Sequence, residues 1–127
     1  MLRLAGAVIG GLVTWVALVT LLNFGLRAAI PGYHAAEPTF AFTLTMMIGR
    51  LTIAALTSLA AGATARTIAP GSDIAPWVVG IVLLALFVPV HVHIGARLPL
   101  WYHLTFLLTL APLVWAGARL RQSAARA

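Results

Sequence analysis

Arg50 stands alone inside a long apolar run, and a guanidinium in that setting needs a chemical reason. Its nearest charged neighbours along the chain are Glu37 and Arg66. An arginine stays protonated at any ordinary pH and offers five N–H donors in a planar fork. Those donors suit a carboxylate, a phosphate or an anion path, and they also suit hydroxyl and carbonyl oxygens. Thr14, Thr43 and Ser58 are the hydroxyls within plausible reach of such an intramembrane polar or anion site. Glu37 lies about 20 Å away if the intervening chain is helical. It meets Arg50 only if the chain folds back.

The histidines form the second constellation. His34 sits three residues before Glu37, His91 and His93 close one apolar run, and His103 opens the next. Neutral imidazole with a carboxylate is a ligand set for zinc, copper or nickel, and imidazole also titrates near physiological pH. On a helix His91 and His93 diverge by about 200°, which prevents them from sharing an ion. In an extended stretch they share a face. Pro89 and Gly95 flank them and leave both geometries open. A metal or proton site therefore takes His34, Glu37, His91, His93 and His103 as candidates. Beyond a metal or haem at these positions, the sequence points to no cofactor.

No G-x-S-x-G, P-loop or H-E-x-x-H is present, and the two acids, Glu37 and Asp73, fall on opposite sides of the expected membrane. This argues against an enzyme. There is no cysteine, hence no disulfide and no thiolate site.

The elements that must position these residues are four apolar runs, at 4–26, 40–65, 75–92 and 100–118. A helix crosses a bilayer with about 20 largely apolar residues. The chain is 62% hydrophobic and 8% charged, against roughly 25% charged in a soluble domain. The expected fold is all-α: one four-helix transmembrane domain over residues 1–127. A membrane barrel would need period-two alternation, which is absent. The first run has 23 residues, longer than the apolar part of a signal peptide at about 7–15, and reads as a first span. Pro38, Pro76 and Pro99 are expected in the first turns of following helices, Ser72 or Asp73 as a cap, and Pro89 and Pro112 as kinks within spans.

Net charge is +6, carried by arginine without lysine. On a soluble protein that balance would suggest nucleic acid. Here the charges flank apolar spans, so the bilayer is the partner. Arg3, Arg66, Arg119, Arg121 and Arg126 fall on one side, Arg27 and Arg97 on the other. Positive residues favour the cytoplasm, so both termini are expected there.

Packing surfaces are legible as well. Gly6 and Gly10 form a GxxxG, and Ala54, Ser58 and Gly62 share the four-residue ridge that begins at Arg50 and ends at Arg66. Small residues on such ridges let helices approach closely. Trp77, Trp101 and Tyr102 sit where an interfacial aromatic belt is expected.

The segment Ala65-Arg-Thr-Ile-Ala-Pro70, the Leu100-Trp-Tyr102 opening, Pro112, Gly117 and Arg119-Leu-Arg121 complete the reading. With Arg50 placed sixteen residues before Arg66, the last 80 or so residues resemble a loose group of uncharacterised small four-helix bacterial inner-membrane proteins. The resemblance implies class and topology, not an activity. The richness in alanine, leucine and arginine also suits a high-GC bacterial genome. The expectation is a non-enzymatic accessory, assembly or stabilising subunit that associates with other membrane protein subunits. A small homo-oligomeric transporter or channel using Arg50 is the first alternative, and a periplasm-facing metal or haem protein the second.

Overall fold

A computed structural model describes residues 1–126. Four long helices, α1 (Leu2–Ala29), α3 (Leu44–Ile68), α4 (Ile74–Ile94) and α5 (Leu100–Arg126), form the body of the molecule. A short helix α2 (Tyr33–Ala36) and a 3-10 turn (Glu37–Thr39) fill the first connection, and a second 3-10 turn (Gly95–Arg97) joins α4 to α5. All four long helices are apolar and long enough to cross a membrane. At 1.5 Å per residue they span about 31–42 Å, against a hydrocarbon core of about 30 Å.

The third helix sits centrally, packed against α1 on one side and α5 on the other, while α4 bridges α1 and α5. Small residues make the α3–α5 crossing possible. A methyl group on Gly62 would strike the Val114 carbonyl, and one on Gly117 would strike Leu59. With no side chain at either position, the two backbones touch. The ridge Ala54–Ser58–Gly62–Arg66 is buried along its length, with Arg50 half-buried at its outer end. Gly6 and Gly10 of α1 face Ile68 and Thr64 of α3, so the GxxxG is used inside the chain. Side-chain bonds tie these helices at mid-depth. Thr14 donates to Thr64 at 2.9 Å, and the Trp15 indole donates to the Ser58 hydroxyl at 3.1 Å.

Helix boundaries differ from the sequence expectation most in the first connection. Pro38 does not open a long helix but sits in the 3-10 turn. Phe40 then adopts a left-handed conformation (φ 57°), unusual for an aromatic residue, and ends the turn. The third helix starts only at Leu44, with the Thr43 hydroxyl accepting from the Met46 N–H as its cap. Ser72 rather than Asp73 caps α4, accepting from the Ala75 N–H. Both Pro89 and Pro112 lie within continuous helices.

Both termini and the α3–α4 turn lie at one end of the bundle, as four crossings require. The first connection and the α4–α5 turn lie at the other, called here the outer end.

Candidate functional site

The late start of α3 changes the depth of Arg50. Counted from Leu44 it lies about 9 Å from the outer end of its helix and about 27 Å from the inner end, well short of the helix midpoint. The first connection does fold inward, but it delivers a phenol rather than a carboxylate. Gly32, in the left-handed region at φ 81°, turns the chain so that Tyr33 is wholly buried. Arg50 Nη1 donates to the Tyr33 hydroxyl at 2.7 Å, and Nε donates to the Tyr102 hydroxyl at 3.0 Å. The Tyr33 hydroxyl in turn donates to Asn23 Oδ1 at 2.7 Å. The guanidinium carbon lies 4.7 Å from the centre of the Phe42 ring, a cation–π distance. Burial pushes the Tyr33 phenol above its ordinary pKa, an effect the Arg50 cation opposes. The phenol stays neutral, so the arginine's positive charge is solvated but not cancelled.

Both carboxylates are engaged elsewhere. Glu37 forms a two-pronged pair with Arg27, at 2.6 Å and 3.0 Å. That pair, assisted by His34 at 3.3 Å, holds its carboxyl below the usual range. Asp73 pairs with Arg66 at 2.8 Å at the opposite end, which likewise lowers its pKa. Among the described residues, Arg50 therefore has no carboxylate partner.

Arg50 lines a cavity of about 180 Å³ in the outer half of the bundle. Asn23 of α1, His91 of α4 and Tyr102 of α5 add polar groups to a wall that is otherwise apolar. Its floor is aromatic: Trp15 lies 4.8 Å from Phe87, and Phe87 lies 5.2 Å from Phe106, centre to centre. Below that floor Ala61, Val79, Leu83, Leu110 and Val114 are each at most 1% exposed. The Arg50 Nη2 amino group has no acceptor among the described residues and is not sealed from the surface.

His91 and His103 are both buried and meet Nδ1 to Nδ1 at 2.6 Å. His103 Nε2 lies 2.9 Å from the Gly95 carbonyl, which can only accept. The neutral arrangement follows: His103 carries its proton on Nε2, its Nδ1 accepts from His91 Nδ1–H, and His91 Nε2 is left as an acceptor. His91 also lines the cavity that Arg50 lines.

Several sequence candidates are not brought together. Thr14, Thr43 and Ser58 do not serve Arg50. Thr14 bonds to Thr64, Thr43 caps α3, and Ser58 bridges Trp15 and the Ala54 carbonyl. Four of the five residues considered for a metal or proton site fall in two places, His34 with Glu37 on the first connection and His91 with His103 between α4 and α5. His93 is exposed on the last turn of α4, which stays helical through Ile94 and points it away from His91. Among the described residues no group of three or more His, Cys, Asp or Glu is positioned to hold an ion. The tyrosines are what sequence reading missed. Tyr102 had an interfacial position and Tyr33 a loop position, and neither carries a periodic signal tying it to Arg50. No family model, no curated protein and no solved structure matches this chain, so the chemistry of its own residues is the guide to what the site does.

Proposed function

We propose that the chain is a non-enzymatic accessory protein of a bacterial inner membrane, with both termini cytoplasmic, and that it serves a larger membrane assembly by holding a small amphiphile at Arg50. The observation that supports this reading is an arginine with a free amino group and no carboxylate partner, lining a cavity with an aromatic floor. A cation in that position draws an acceptor oxygen, preferably anionic. The volume matches about one six-membered ring, since a cavity near 150 Å³ accommodates benzene. The ligand class is then a flat or short apolar body bearing a carboxylate, phenolate or carbonyl oxygen, with any tail left in the lipid. Haem is far larger than this space.

A transporter reading draws on the same half-buried arginine, but it needs a path past Trp15, Phe87 and Phe106. The well-packed core beneath them disfavours such a path within one chain.

The test is native mass spectrometry of the untagged protein released from its own membrane in mild detergent. Co-purifying polypeptides support the accessory role. A residual non-protein mass that Arg50→Gln loses supports the ligand site. A bare chain or bare homo-oligomer, identical in mass defect for both variants, rejects the proposal and shifts the case to transport.

A further inference from the structure

The inner end of the bundle holds a second polar cavity, of about 280 Å³, walled by Arg66, Thr67, Pro70, Arg121, Gln122 and Arg126. Three of its wall residues are arginines. The only acid near it, Asp73, is taken by Arg66 Nη2, while Nη1 donates to the Pro70 carbonyl at 3.1 Å. That leaves Arg66 Nε, on a residue only 4% exposed, buried without an acceptor. Gln122 Oε1, on the same wall, is buried without a donor. Buried polar atoms left unpaired cost about 1–3 kcal/mol each, both of these belong to residues that wall one basic cavity, and the unpaired Arg66 donor lacks an acceptor oxygen. Arg121 Nε donates to the Thr67 hydroxyl at 3.0 Å, which holds one guanidinium at the rim.

We infer that this cavity binds a phosphate monoester or diester group, with Arg121 and Arg126 as its principal ligands and Arg66 Nε and the Gln122 amide completing its shell. The Gln122 side chain has to turn for its amide N–H₂ to face the anion in place of the unpaired Oε1. The cavity lies at the inner ends of helices long and apolar enough to cross a membrane, which is where a bilayer would present its headgroups. An anionic phospholipid and free phosphate both carry the required chemistry.

The experiment measures retention of phosphatidylglycerol by native mass spectrometry and thermal stabilisation of the full chain in phosphatidylcholine nanodiscs. Each is titrated with phosphatidylglycerol or, separately, with inorganic phosphate. One cationic residue near the surface contributes about a fivefold change in binding, so Arg121→Gln with Arg126→Gln should weaken binding by roughly 30-fold. Both side chains are exposed, so the fold survives the change. The control pair Arg3→Gln with Arg119→Gln removes the same charge from the same end outside the cavity and should have a much smaller effect. A response to phosphatidylglycerol alone assigns a lipid headgroup site, and a response to both assigns a general phosphate site. Equal losses for the two pairs, or no response to either probe, overturn the inference.

Discussion

Tyr33→Phe removes one oxygen that both receives a bond from Arg50 and donates one to Asn23. A hydrogen bond to a charged group is worth about 1.5–3 kcal/mol, and a neutral side-chain bond in a membrane protein about 0.6 kcal/mol. The substitution should therefore destabilise the fold by about 2–3.5 kcal/mol. In an Arg50→Met background only the Asn23 bond remains to be lost, and the cost should fall to about 0.6 kcal/mol. The difference between the two backgrounds is the Arg50–Tyr33 coupling, measured without assuming what either residue does alone. Tyr102→Phe loses only its bond from Arg50 and should be somewhat milder than Tyr33→Phe in the wild-type background. Reversible unfolding in mixed micelles, followed by tryptophan fluorescence, gives all four corners of the cycle, with Trp15 close to the site as reporter. If Tyr33→Phe costs the same with and without Arg50, the first connection is held by packing alone. The claim that it folds inward to solvate the arginine would then be refuted.

Other outcomes follow from the same geometry. Gly62→Ala should cost at least the about 1–3 kcal/mol of an overpacked core, because backbone stands in its way. Gly10→Ala should cost less, since the Ile68 side chain that it meets can rotate aside; chemical denaturation of the two variants checks the order. The Glu37 carboxyl is held below its ordinary pKa by Arg27, so its contribution is complete above the unfolded value of about 4.3 and fades as pH falls through the lower folded value. Hydrogen exchange over 33–39 should accelerate in that acidic window, and Glu37→Gln should remove the pH dependence. Because the chain has no native cysteine, single replacements report orientation cleanly. In intact cells a membrane-impermeant maleimide should label Ala35→Cys and spare Ser72→Cys, and the reverse pattern would invert the topology.

Much of the architecture is legible in the order of the residues. Four runs of sufficient length and apolarity can satisfy their backbones in lipid only as helices, so class and span number follow from composition and order. The ridge of small residues after Arg50 was readable for the same reason, because a four-residue repeat places its members on one helical face. The punctuation was less legible. The first connection contains Pro38, which suits a helix start and a 3-10 turn equally well, and the choice between them moved Arg50 by four residues in depth. The ion pairs Arg27–Glu37 and Arg66–Asp73 were hidden because each joins the end of a helix to a turn whose path no periodicity describes.

Local composition alone marks four segments long and apolar enough to span a membrane, and one arginine that those segments cannot ignore. Only the packed bundle sets that arginine's company: two phenols and a ring face instead of threonines and a serine, a cavity in the outer half of the bundle, and a histidine pair instead of a four-histidine cluster. The physical reason is the range of the interactions. Burial of an apolar run depends on local composition, which the sequence states directly. A hydrogen bond between residues 17 or 52 positions apart depends on helix crossing angles and one inward turn at Gly32, and these are set only when the whole bundle has packed.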